Sequence, residues 1–169
     1  MKLFVITRTC GAGKSVMKDH LSKRLDLARY ICVDSDEMEI NWWDYAGTEK
    51  ESKYGEDTLL CAVKRAGGRT LVFVSCLNPL DYYQRINVPD EIDAAFFIAS
   101  CPADAEIEKR LKARPAERGF TSEEKIKPHI EYNRWLRQNR SKFQLFIDNT
   151  DMLEDETADR VSAFILKAD

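Results

Sequence analysis

Short apolar runs alternate with segments of helical period along the whole chain. Leu3–Ile6 are apolar without a break, and Val16, Met17, Leu21 and Leu25 then recur at helical spacing. Tyr30–Val33, Thr70–Val74, Ala94–Ala99 and Phe143–Ile147 read as four further strands. Helices are expected over Thr58–Ala66, closed by Gly67-Gly68, over Glu106–Ala113, and around Ala158, Val161, Phe164 and Ile165. Another is expected from Thr121 to about Asn139: Thr121 and Glu124 have capping-box spacing, and Pro128 should kink it. Strands apolar on both faces and separated by helices imply an α/β fold with a parallel sheet covered on both sides. Ligands of such a sheet bind beyond the carboxyl ends of the strands. The chemistry is therefore expected in Thr7–Ser15, Asp34–Asp36, Ser75–Asn78, Ser100 and Asp148–Thr150.

The length of 169 residues suits one domain spanning 1–169. A net charge of -3 argues against nucleic acid polymers or anionic membranes as partners. The longest apolar run, Ala94–Ala99, is far short of the roughly 20 residues that span a bilayer. The N-terminal Leu3–Ile6 run stops at Thr7-Arg8, before a secretory core could form. Five scattered cysteines without a C-x-x-C read as reduced core thiols of a cytoplasmic protein. Nothing in the pattern sets an oligomeric state.

The strongest chemical signal is Arg8-Thr9-Cys10-Gly11-Ala12-Gly13-Lys14-Ser15, between a strand and a helix. It matches the phosphate-binding pattern G-x-x-x-x-G-K-[ST] except at its first glycine, where Arg8 stands. Gly11 and Gly13 allow the backbone to curl, so that the amides of Thr9, Cys10, Gly11, Ala12 and Gly13 face one anion. The helix beginning near Lys14 adds its positive end. Lys14 can reach the β- and γ-phosphates, and Ser15 can ligate Mg2+. A dinucleotide fingerprint would need glycine at Val16, and no N-K-x-D occurs to read guanine.

In this loop and the order of its elements, the chain resembles the P-loop small-molecule kinases: nucleoside monophosphate, shikimate and gluconate kinases. The resemblance covers nearly the whole length. It implies a three-layer fold, a five-stranded parallel sheet in the order 2-3-1-4-5, a lid after the fourth strand, and ATP with Mg2+ as cofactors. Asp34-Ser35-Asp36 is similar to the shikimate kinase pattern, which implies Asp34 near the metal and Asp36 on the acceptor hydroxyl. The bland alternative is that both merely cap the next helix. Ser75 stands where this group usually has an aspartate at the end of the third strand. That departure shifts work to Asp34 and Asp36, or weakens the catalytic reading.

Residues 109–140 carry ten Lys or Arg against four acids. Arg110 and Arg114 share a helix face and resemble the R-x-x-x-R lid (about 110–122) that closes over triphosphate. Arg118, Arg134 and Arg137 are weaker candidates. Residues 34–57 carry nine acids, two lysines and no arginine, so this insertion should repel a phosphorylated acceptor and suit a nucleoside or polyol. Trp42, Trp43 and Tyr45 either cover the core under this insertion or offer flat faces to stack on a base or sugar. Arg85 is the one nearby arginine for an acceptor phosphate, as a nucleoside monophosphate kinase would need. Asp148-Asn149-Thr150 resembles the segment that packs on adenine, which adds Asn149 to the nucleotide site. His20 and His129 read as surface residues. The expected activity is transfer of the γ-phosphate of ATP to a hydroxyl of a small molecule. Nucleoside monophosphate phosphorylation and nucleotide binding without turnover are the alternatives.

Overall fold

The computed structural model describes all residues except 52 and 121, and the backbone alone of Arg118. Five strands form one parallel sheet: β1 (Lys2–Thr7), β2 (Tyr30–Asp34), β3 (Thr70–Ser75), β4 (Ala94–Cys101) and β5 (Leu145–Asp148), in the order β2-β3-β1-β4-β5. The register runs Leu3↔Leu71 to Thr7↔Ser75, Lys2↔Ala94 to Thr7↔Ala99, and Tyr30↔Thr70 to Asp34↔Val74. This brings Thr7, Asp34 and Ser75 to one edge.

Side chains alternate across a strand. Leu3 and Val5 of β1 thus enter one core with Leu71, Phe73, Phe97 and Ala99, while Phe4 and Ile6 enter the other with Val72, Val74 and Ile98. The first core is covered by α2 (Lys53–Ala66) through Leu59, Ala62 and Val63, and by Leu136 of α5 (Glu123–Gln138). The second is covered by α1 (Lys14–Ser22) through Met17 and Leu21, and by α6 (Glu154–Ala168) through Ala158, Val161 and Ile165. Burying each large apolar side chain contributes about 1.5–3 kcal/mol.

The remaining helices are α3 (Pro79–Gln84) and α4 (Asp104–Lys112). The short α3 escapes periodicity, but Asn78 starts it by accepting from the amides of Leu80 and Asp81. The fifth strand begins two residues later than its apolar pattern suggests. Gln144 bonds Phe97 through its own amide at 2.9 Å and through its side-chain oxygen at 2.7 Å, the latter in place of a ladder bond. Helix α5 continues through Pro128, and its N-cap Ser122 makes no side-chain capping bond. The expected capping residue Thr121 lies outside the described residues.

Candidate active site

The loop after β1 bends at Gly11 (φ +81°) and Gly13 (φ +84°), a region of backbone space that strains any other residue type. Space adds a second constraint at Gly11. A Cβ there would lie 2.9 Å from Leu111 Cγ and 3.3 Å from Ile107 Cγ2 of α4, so the loop rests directly on that helix. Gly13 is the residue before α1, whose first amides therefore face the bend. Thr9 Oγ1 donates to the His129 carbonyl of α5 at 3.0 Å and fixes the other side.

Arg8 does not enter this concavity. Its backbone amide bonds the Ser75 carbonyl at 2.9 Å, and its side chain, fully buried, turns to Glu154 at the start of α6. One guanidinium nitrogen also donates to the Gly13 carbonyl at 3.1 Å. The residue that breaks the glycine pattern thus braces the loop from behind.

Lys14 is buried, with Nζ 3.9 Å from Cys10 Sγ. Burial opposes its charge, but the sulfurs of Cys76 and Cys10 and the carboxylates of Asp36 and Asp34 outweigh this and hold its pKa above the usual lysine value. Lys14 is therefore a cation at neutral pH, in surroundings that screen it weakly.

Ser15 Oγ donates to Asp34 Oδ2 at 2.8 Å. Asp34 Oδ1 accepts from the Asp36 amide at 3.1 Å and closes the 3-10 turn Ser35–Glu37. The capping role of Asp34 and its place beside Ser15 thus coexist, one on each carboxylate oxygen. Asp36 lies exposed on that turn. A hydroxyl and a carboxylate this close are hard oxygen donors of the kind Mg2+ takes alongside phosphate oxygens. Among the described residues no group of three or more His, Cys, Asp or Glu is arranged around a metal position.

Burial lifts the Asp34 carboxyl above the ordinary carboxylate value; the Asp36 amide pulls it down, and the Asp36 charge pushes it further up. The stability that Asp34 contributes is therefore complete below its unfolded pKa, near 3.9, and is lost as pH rises through the elevated folded value. Asp34→Asn is expected to melt higher than the native chain by several degrees at about pH 7 and to lose that advantage by about pH 4. Thermal melts at both pH values check this, and an equal shift at both would remove burial as the cause.

Of the arginines in the basic segment, Arg110 reaches the loop: its Nη1 lies 3.4 Å from the position of a Cβ on Gly13, while Nε bonds Glu106 at 2.8 Å. Arg114 lies over the Phe120 ring at 5.2 Å. Arg134 instead pairs with Asp104 at 2.6 Å. Arg137 bonds Asp148 and the Cys101 and Pro102 carbonyls, joining α5 to the ends of β4 and β5. Arg85 pairs with Asp81 at 2.9 Å and is largely exposed. Ser75 Oγ accepts from the Leu77 amide at 3.0 Å, so no carboxylate ends β3.

A cleft of about 500 Å³ lies beside Arg110, lined by Pro102, Glu106, Arg110, Asn149, Thr150 and Met152 among others. Asn149 is buried, and among the described residues its Oδ1 has no hydrogen-bond partner. A lone acceptor at such a position suits the amino group of a nucleotide base.

In the segment 34–57, Trp42 and Tyr45 stand edge-on to Tyr54, at 5.0 and 5.6 Å between ring centroids. Trp43 instead reaches Gly119, with Cζ2 3.3 Å from where a Cβ of that glycine would sit. Tyr54 was not singled out by sequence, yet burial first and the neighbouring Asp36 charge second push its phenol up to about 12. His129, expected at the surface, is half-buried, its carbonyl accepting from Thr9, with Phe120 against its ring at 5.3 Å. His20 does pair on the outside, with Asp155 at 2.8 Å. Helical spacing could have hinted at His129, because it stands three residues after the buried Ile126.

No protein-family model matches the sequence, and no curated protein matches it. Solved structures do match. Shikimate kinase from Acinetobacter baumannii in complex with shikimate superposes with a TM-score of 0.64 at 14% identity, over 99% of this chain and 94% of that one. A sugar kinase from a Janibacter species gives 0.64 at 11%, over 98% and 94%. A tunicamycin resistance protein from Deinococcus radiodurans gives 0.61 at 15%, over 97% and 95%. At these identities the likeness is one of fold. The fold is the three-layer P-loop fold of small-molecule kinases, the group that the loop motif resembles.

Proposed function

We propose that this chain is an ATP-dependent phosphotransferase acting on a hydroxyl of a small nucleoside or polyol-like metabolite. The observation that carries the reading is the contact of Ser15 with Asp34 beside the buried cation of Lys14, on a loop bent by two glycines.

Phosphoryl transfer is mostly positioning and charge neutralisation. The loop amides and the start of α1 would hold the phosphates, with Lys14 and Arg110 on the β- and γ-groups and Arg114 brought in by the lid. The bound Mg2+ supplies charge neutralisation between phosphates, and Ser15 and Asp34 are the residues to hold it. Asn149 would meet the base in the adjoining cleft. Asp36, exposed and next to Lys14 and Tyr54, would orient the acceptor hydroxyl and take its proton. We assign the acceptor site to the insertion about 34–57 and the lid to about 110–122, within one domain in the cytoplasm. The absence of arginine from that insertion, with Arg85 paired to Asp81, favours an acceptor without a phosphate.

Asp36→Asn is expected to lower turnover by about 10²-fold or more while nucleotide affinity stays within about twofold. Initial rates of ADP release and titration with a fluorescent ATP analogue separate the two, and unchanged turnover removes Asp36 from the acceptor site. Thermal-shift screening of nucleosides, monophosphates and small alcohols, with and without MgATP, tests the substrate class. A second reading, nucleotide binding without turnover, is favoured by Ser75 at the end of β3. It predicts stabilisation by nucleotide and no ADP release with any acceptor.

A further inference from the structure

Two of the cysteines expected as reduced core thiols come to the proposed phosphate loop. Cys10 comes from the loop and Cys76 from the residue after β3. They are 66 positions apart in sequence, but the pairing of Arg8 with Ser75 carries both to the same edge of the sheet. Both sulfurs adjoin the same loop, Cys76 Sγ beside Arg8 and Cys10 Sγ beside Lys14. Cys76 Sγ also lies 3.2 Å from the Arg8 carbonyl oxygen. Its backbone is held by Tyr132, whose hydroxyl donates to the Cys76 carbonyl at 2.6 Å. On the far side of Cys10, Lys14 Nζ stands 3.9 Å from Sγ. Both residues are half-buried, and all five cysteines are free.

We propose that Cys10 and Cys76 form a peroxide-responsive dithiol, whose oxidation to a disulfide ties the phosphate loop to the end of β3 and weakens nucleotide binding. The effect on affinity rests on the nucleotide-binding reading above; the thiol chemistry does not.

The two sulfurs have unequal tasks. Hydrogen bonding from Cys76, the charge of Lys14 and the neighbouring His129 together outweigh burial and hold the Cys10 thiol well below its ordinary pKa. Cys76 is driven the other way by the same hydrogen bond and by burial. Cys10 is therefore the attacking thiolate. Its sulfur bonds to one peroxide oxygen, the O–O bond breaks, and the departing hydroxide takes up a proton to become water. The Cys76 sulfur then attacks the resulting sulfenic acid. The S–S bond forms, the S–O bond breaks, and the hydroxyl leaves as water with the Cys76 proton. Overall, two thiols lose two hydrogens and one peroxide gives two waters. A disulfide requires an S–S separation of about 2 Å, so the two sulfurs must close to bond distance. That displacement falls on the loop, because Cys76 is anchored through Arg8 and Tyr132. It moves the Cys10 amide, a member of the anion cradle, and the sulfur against which Lys14 stands.

The test uses the full reduced chain, exposed to a few equivalents of hydrogen peroxide and then alkylated under denaturing conditions. The expected product is monomeric, with two of its five thiols consumed. Trypsin should join Thr9–Lys14 to Thr70–Arg85 and leave Cys32, Cys61 and Cys101 alkylated. Affinity for a fluorescent ATP analogue should fall by about tenfold or more and recover with dithiothreitol. In Cys76→Ser, the cross-link should vanish and a dimedone adduct should collect on Cys10. A cross-link between other cysteines, an intermolecular one, or none overturns the dithiol. The correct cross-link with unchanged affinity overturns its control of the loop. A reduced chain that binds no nucleotide overturns the phosphotransferase reading and the affinity effect together, while the peptide cross-link still decides the thiol chemistry.

Discussion

Lys14→Ala should lower phosphoryl transfer by about 10²–10³-fold, the usual cost of removing one preorganised charge from a transition state. The surroundings of this side chain support an effect at the upper end. Lys14 is 7% exposed, so little water replaces the lost ammonium, and the Asp34 and Asp36 carboxylates it faced would be left to repel an incoming triphosphate. Nucleotide affinity should fall as well, because the ground-state phosphates also meet this charge. Arginine is not expected to rescue: its broad, planar head does not fit where a compact ammonium lies against Cys10. Coupled assays of ADP release and titration with a fluorescent ATP analogue measure both effects. Native affinity and turnover in this variant would detach the loop from the chemistry.

Glu154→Ala should destabilise the fold by about 3 kcal/mol, because removing one member of a buried ion pair leaves the other charge uncompensated. Arg8 has no exposure at all, and its Nε already lacks a partner. Glu154 lies at the start of α6 and is 21% exposed, so some water reaches the pair and moderates the loss. Arg8→Gly, which restores the glycine of the motif, should recover much of the stability when added to Glu154→Ala. Urea midpoints of the four chains in this cycle measure the coupling. A loss under about 1 kcal/mol in Glu154→Ala would mean that the pair does not hold the loop. The double variant should still bind nucleotide more weakly than the native chain, since Gly13 would lose the guanidinium that now meets its carbonyl.

The sheet was legible because its strands carry their own signal: each is an apolar run facing two cores, interrupted by helices of clear period. Gly11 and Gly13 were legible because backbone geometry restricts what may stand there. Arg8 was not, since its partner Glu154 is 146 residues away and no local rule links them. The basic segment was only partly legible. Charge places Arg110, Arg134 and Arg137 in one class, whereas packing sends Arg110 to the loop and commits the other two to Asp104 and Asp148. Tyr54 and His129 are similarly set by how α2 and α5 dock. Tyr54 carries no local mark, and for His129 only its helical spacing from the buried Ile126 points inward.

The perch of Trp43 against Gly119 gives the molecule an optical gauge. An indole that spans the seam between two loops samples their separation through its emission. Any ligand that alters that spacing changes the colour of the protein's own fluorescence, with no dye attached.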